Sequence, residues 1–136
     1  MNITRFPSQI RPDELPSVVL AYIGDAVYEL AVREYLVGRG LLNVNKLHRE
    51  AVRHVRASTQ ARIFHALEGR LTDAEQAVIR RGRNAKSGHA PRGNSVVEYR
   101  ESTGFESLVG YLYLKKEWDR LEGIFALARQ VIEREF

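Results

Sequence analysis

The sequence predicts an all-helical domain, and three observations carry that expectation. Apolar residues recur with the 3.6-residue period of amphipathic helices, while the period-2 alternation of half-buried strands is scarce. The prolines are Pro7, Pro12, Pro16 and Pro91, so nothing between Pro16 and Pro91 forbids helix. The chain has 136 residues, 44% apolar and 28% charged, which suits one folded core. There is no internal repeat and no low-complexity segment. The expectation is one domain over residues 1–136, built from about six or seven helices, with residues 1–14 as an N-terminal extension.

The first helix should begin near Pro16, since proline suits a first helical turn. Val19, Tyr22, Ile23, Ala26, Val27 and Leu30 form one apolar stripe, and Val18, Ala21, Tyr28 and Val32 make the opposite face apolar too. A helix apolar nearly all round belongs in the core. Gly38 and Gly40 end it. Asn45 is the expected N-cap of a second helix starting at Lys46. Ser58 or Thr59 restarts a third, ending near Gly69. Thr72-Asp73-Ala74-Glu75 is a capping box, which predicts a helix from Asp73 to about Arg81. Gly82 to Asn94, rich in Gly, Asn, Ser and Pro, reads as a loop of functional length. Helix resumes near Ser95 and continues past Glu106, with Phe105, Leu108, Val109 and Leu112 on its core face. The last helix, from about Glu117, buries Trp118, Leu121, Phe125 and Ala128.

Cysteine is absent, which excludes disulfide scaffolds, cysteine-based zinc sites and a cysteine nucleophile. Met1 to Pro12 lacks the apolar core of a secretory leader. Apolar stretches such as Leu15 to Gly24 are too short to span a bilayer. These features lead to the expectation of a cytoplasmic protein with no membrane partner.

The formal charge of +4 conceals an asymmetry. Arg39 to Arg100 holds 13 Lys+Arg against 5 Asp+Glu, a net of +8, while the flanks together carry −4. A basic middle between acidic ends suggests a polyanion-binding face. Lys46, Arg49, Arg53 and Arg56 fall at i, i+3, i+7 and i+10, one face of a helix that can follow a phosphate backbone. Arg80 to His89 adds Arg81, Arg83, Asn84, Lys86 and Ser87 among glycines, with no acid between Glu75 and Glu98. Backbone N–H groups and arginines in such a segment can grip phosphates, although the spacing is not that of a P-loop. Aromatics are not interleaved with these cations, which favours contact with a duplex backbone over stacking on single strands. His48, His54, His65 and His89 show no metal-ligand spacing.

Two acids stand out. Asp25 follows Gly24 in the middle of the most apolar helix, where a glycine costs about 1 kcal/mol relative to alanine but lets another backbone come close. A carboxylate buried there needs a partner. An acid paired with an arginine and an acid at a metal centre both meet that need. Glu106 lies between Phe105 and Leu108 on an equally apolar helix, with Gly110 one turn later. Two acids on two such helices could meet across a helix pair around a cation, and oxygen-only ligation suits Mg²⁺ or Mn²⁺.

These segments resemble a known family. Ala21-Tyr22-Ile23-Gly24-Asp25-Ala26-Val27-Tyr28-Glu29-Leu30 resembles the signature helix of the ribonuclease III family, whose core reads L-G-D-A-V. Phe105 to Leu114 resembles its second acidic helix, F-E-A-L-x-G-x-x-Y-L. Arg81 to Ser87 is similar to the R-G-R-N-A-K-S segment of the family's Mini branch, which lacks a separate double-stranded-RNA-binding domain. The three motifs occur in the family's order and the resemblance covers nearly the whole chain from Leu15. It implies an all-helical, homodimeric, metal-dependent endoribonuclease for double-stranded RNA, leaving 5′-phosphate and 3′-hydroxyl ends. The Mini branch implies maturation of 23S ribosomal RNA precursors in the bacterial cytoplasm and leaves room for a ribosomal-protein helper. Carried over by position, Asp25 and Glu106 are the catalytic and metal-binding pair. The basic residues Lys46, Arg49, Arg53, Arg81, Arg83, Asn84, Lys86 and Ser87 would then hold the RNA. Two further family acids correspond here to Ala21 and Thr103, leaving water or Thr103 Oγ to complete a cation's shell. Gly24 and its helix are the candidate dimer surface. The same fold used as a non-catalytic duplex-RNA-binding or ribosome-assembly module is the alternative.

Overall fold

The computed structural model describes residues 11–85 and 95–134. A short 3-10 turn, Pro12–Glu14, leads into α1 (Ser17–Gly38), α2 (Val44–Val55), α3 (Ala57–Leu67), α4 (Asp73–Asn84), α5 (Val96–Leu114) and α6 (Trp118–Glu133). There is no strand among the described residues, so the fold is all-α. Helix α5 is its axis. It packs against α1, α3, α4 and α6, and Phe105, Leu108, Val109 and Leu112 on it are fully enclosed. Helix α2 lies outside, against α1 and α3.

Local chemistry sets the helix ends. The capping box is complete: Glu75 N–H donates to Thr72 Oγ1 (3.2 Å) and Thr72 N–H to Glu75 Oε1 (2.9 Å). Ser95 Oγ accepts from Glu98 N–H at 2.9 Å and caps α5. Helix α2 starts earlier than expected, because the cap is Asn43, not Asn45. Its Oδ1 accepts the Lys46 N–H at 3.1 Å. The 3-10 turn, within the stretch read as an extension, is tied to α5 by Asp13, which accepts from Tyr111 Oη (2.9 Å) and pairs with Lys115 (3.0 Å).

Two expectations fail, one through a close helix contact and one through an uncovered helix face. Helix α4 does not stop near Arg81 but continues to Asn84. Gly82 is a contact residue rather than a breaker, since a Cβ there would lie 2.9 Å from Gly104 Cα and 2.5 Å from Ser107 Oγ of α5. Nor is α1 buried all round. Leu20, Ala21, Gly24, Tyr28, Val32 and Leu36 face the core, whereas Val18, Val19, Tyr22, Ala26 and Leu30 are exposed, Tyr22 at 79%. Both faces are apolar, but only one is covered by this chain.

Candidate active site

The site begins at a backbone-to-backbone crossing of α1 and α5. A Cβ on Gly24 would collide with the Glu106 carbonyl and lie 2.8 Å from Gly110 N. A Cβ on Gly110 would collide with the Leu20 carbonyl and lie 3.1 Å from Gly24 N. The two glycines are thus reciprocal: each vacates the volume that the other helix's backbone fills. Ser107 fastens the crossing, its Oγ within hydrogen-bond distance of both Ser17 O (3.0 Å) and Thr103 O (2.8 Å). Gly24 is consumed in this internal contact. The expected dimer surface on α1 therefore cannot be centred on it.

The crossing sets Asp25 beside Glu106, with their carboxyl groups within hydrogen-bonding reach. Asp25 is exposed rather than buried, the outcome of the one-sided burial of α1. Glu106 is partly buried. Burial, then the Asp25 charge and the shared hydrogen bond, raise the Glu106 carboxyl from its ordinary 4.5 to about 8, against a smaller opposing effect of the Gln60 amide. Such a hydrogen bond requires a proton on one of the two groups. No Lys, Arg or His side chain is among the groups that act on the Glu106 carboxyl. No third His, Asp or Glu joins them among the described residues.

Gln60, which sequence reasoning missed, completes the arrangement. It is 2% exposed in the first turns of α3, and its Nε2 donates to Val55 O (2.7 Å) and to Glu106 Oε2 (3.4 Å). Its Oε1 is buried and accepts nothing from the described residues. Two carboxylates are hard oxygen donors, which fits a divalent cation such as Mg²⁺ or Mn²⁺, and the Gln60 amide that contacts Glu106 carries an unsatisfied oxygen. Thr103, buried, donates its hydroxyl to Tyr99 O at 3.0 Å, so only its lone pairs remain for a ligand. Ala21 is buried and offers no donor.

The basic residues split between two helices. Lys46 and Arg49 are exposed on α2, and Arg53 is half-buried with an ion pair to Glu50 at 3.0 Å. Arg56 leaves that face, because α2 ends at Val55 and Arg56 is extended at the α2–α3 corner. Arg81, Arg83 and Asn84 form the last turn of α4, not a loop, and Arg83 Nε donates to Asn84 Oδ1 at 3.2 Å. Lys86, Ser87 and His89 lie outside the described residues. The end of α4 abuts α5 directly, whereas α2 reaches the same stretch through Gln60 of α3. Gly82 and Arg83 N sit against Gly104 and Ser107, and Gln60 links the last carbonyl of α2 to Glu106. Of the other histidines, His48 and His65 are exposed and His54 is buried, its Nδ1 2.7 Å from Glu50 O.

Comparison with known proteins agrees with this architecture. The model of the Ribonuclease III domain matches residues 18–117. A Symbiobacterium thermophilum protein named Mini-ribonuclease 3 is 53% identical over 123 residues, covering 90% of this chain and 95% of its own. A Brevibacillus brevis protein of the same name is 40% identical over 134 residues, covering 98% and 96%. A crystal structure from Fusobacterium nucleatum superimposes with a TM-score of 0.78 at 29% identity, over 90% of this chain and 96% of that one. No described helix is long and apolar enough to cross a membrane. The chain belongs to the ribonuclease III family of endoribonucleases, in its Mini-ribonuclease 3 branch.

Proposed function

We propose that this chain hydrolyses phosphodiester bonds of double-stranded RNA with a divalent cation, Mg²⁺ or alternatively Mn²⁺, held by Asp25 and Glu106. One observation carries the reading: two carboxylates from separate helices lie within hydrogen-bonding reach, and no Lys or Arg side chain offsets the charge that Asp25 brings to Glu106. A divalent cation held by Asp25 and Glu106 would supply positive charge for the phosphate oxygens and would make the attacking water more acidic. Glu106 must surrender its proton to bind, since only a carboxylate ligates well. Water adds to phosphorus as the P–O3′ bond breaks, leaving 5′-phosphate and 3′-hydroxyl ends.

Lys46, Arg49 and Arg53 on α2, with Arg81, Arg83, Asn84, Lys86 and Ser87 at and beyond the end of α4, hold the flanking phosphates. Duplex RNA is read mainly by shape and 2′-hydroxyls, so these contacts position more than they select. On this reading a single domain over residues 1–136 both holds and cuts. The physiological substrate is the 23S ribosomal RNA precursor in the cytoplasm, with a ribosomal protein as the helper that presents it.

The uncovered face of α1 supports a homodimer. Val19, Tyr22, Ala26 and Leu30 follow helical spacing, and a two-fold axis lets the same apolar stripe cover itself. Two sites so related address the two strands. Sedimentation should show a dimer that Tyr22→Lys converts to a monomer.

The test is cleavage of a labelled RNA duplex and of precursor 23S RNA, with and without Mg²⁺, beside Asp25→Asn. Metal-dependent cleavage lost in the variant is the expected result. Retained cleavage by Asp25→Asn removes the proposed centre. Binding without any cleavage by the wild type favours the non-catalytic module.

A further inference from the structure

Beside the two carboxylates lies one buried polar side chain, Gln60, to which the proposed function gives no part. Gln60 enters the core from α3, a helix that packs against α5 and whose Ile63 and Phe64 are buried one turn on. Burying an amide there is unfavourable unless its hydrogen bonds are made. One N–H is spent on the Val55 carbonyl, which the end of α2 would otherwise leave open, and the other points to Glu106. The acceptor oxygen has no partner among the described residues. Apolar side chains of similar length would fill the same volume without that orphan, so fold stability alone does not explain the amide.

An amide differs from arginine or lysine in a way that matters here. It can fix the rotamer of Glu106 without neutralising it, so the negative charge stays available to an external cation. Groups that orient a metal ligand in this manner tune affinity strongly even when they never touch the metal. The neighbouring corner is tied independently: Thr59 Oγ1 donates to Arg53 O at 2.6 Å and accepts from Arg56 Nε at 3.2 Å. The α2–α3 corner therefore has its own fastening, and Gln60 adds a link from that corner to the carboxylate pair.

We propose that Gln60 is a positioning residue of the cation site: its amide group tethers Glu106 to the Val55 carbonyl, and its buried Oε1 accepts a hydrogen from a water bound to the cation. This rests on the reading of Asp25 and Glu106 as the cation-holding pair. It also gives the arginine-bearing end of α2 a direct mechanical connection to that pair, through one side chain.

The experiment is titration of the full chain with Mn²⁺ alone, without RNA, followed by calorimetry or by the paramagnetic signal of free Mn²⁺. Four proteins are compared: wild type, Gln60→Met, Thr59→Val and Asp25→Asn. Gln60→Met keeps the volume and removes donor and acceptor, and should raise the Mn²⁺ dissociation constant about tenfold. Thr59→Val breaks the corner's other fastening, and should lower the melting temperature while leaving Mn²⁺ affinity within about twofold of wild type. Gln60→Leu replaces Gln60→Met if the latter does not fold. Wild-type affinity in the Gln60 variant, or equal losses in the Gln60 and Thr59 variants, overturns the proposal. So does failure of both Gln60 variants to fold, which would make the residue structural. If instead wild type binds no Mn²⁺, or Asp25→Asn binds it undiminished, the underlying reading of the carboxylate pair has failed. That outcome is distinct from failure of the Gln60 proposal, in which the wild type binds and Asp25→Asn does not.

Discussion

Glu75 and Glu106 are the same side chain in opposite electrostatic settings. Glu75 is buried at the start of α4, where burial would raise its carboxyl, yet the Arg120 guanidinium and the Thr72 backbone hold it below its ordinary range. The Arg120 grip is bidentate, with both N···O distances 2.8 Å, and Arg120 is itself steadied by Arg70 O at 2.8 Å. Glu106 has only the weak amide contact of Gln60, and it faces another acid, which with burial drives it up to about 8. The chain supplies the counter-charge for one glutamate and withholds it from the other. What separates a structural acid from a functional one is therefore not depth but whether the fold brings its own cation.

The backbone crossing beneath Glu106 is the most sensitive part of the contrast. Gly24→Ala would force a methyl group into the Glu106 carbonyl, and neither helix backbone can yield as a side chain would. We expect a loss of about 3 kcal/mol or more, read by denaturant unfolding. Alanine at Gly123, whose Cβ would meet nothing within 4 Å, should be neutral or mildly stabilising. Equal tolerance at the two positions would show that the crossing is looser than described.

Removing charge from the pair tests the functional half. Asp25→Asn or Glu106→Gln should lower metal-dependent cleavage by at least about 100-fold, or about 2.7 kcal/mol of transition-state stabilisation. Folded stability without metal should stay level or rise, because the cost of keeping a proton on the buried pair at neutral pH disappears. Glu75→Gln should do the reverse, costing about 2 kcal/mol of stability by breaking a charge-assisted pair while the folded fraction keeps its activity. The comparison breaks if Glu75→Gln abolishes cleavage without destabilising the chain.

How much of this was legible beforehand depends on how local each signal is. The α4 capping box reads directly because both partners lie within Thr72–Glu75. The carboxylate pair was readable as two acids, each near a glycine on an apolar helix, since that coincidence marks close helix approach. The continuation of α4 through Gly82 was not, because a glycine that admits α5 looks, in one dimension, like a glycine that stops a helix. The exposure of Asp25 was hidden for a related reason: periodicity shows that both faces of α1 are apolar but not which face this chain leaves uncovered. Gln60 carried only the faint signal of one amide in an apolar stripe, and its meaning arises from contacts with Val55 and Glu106, the latter 46 positions away.

The smallest expected effect is also the one that sets both glutamates in a single measurement: stability against pH, without metal. Glu106 has a folded-state pKa near 8 and an ordinary value of 4.5. Between those values the folded chain holds a proton that the unfolded chain has released, so stability falls as pH rises through this window. Glu75 has a lowered pKa, so its contribution is present above the ordinary value and is lost as pH falls through the folded one. Melting temperatures from about pH 3 to 9 should therefore decline on both sides. Glu106→Gln should flatten only the alkaline limb and Glu75→Gln only the acid limb. Adding Mg²⁺ should restore the alkaline limb, since the cation binds the deprotonated folded pair and not the unfolded chain. An alkaline limb that ignores both Glu106→Gln and Mg²⁺ would mean that Glu106 is neutralised by something in the chain after all, and the contrast with Glu75 would collapse.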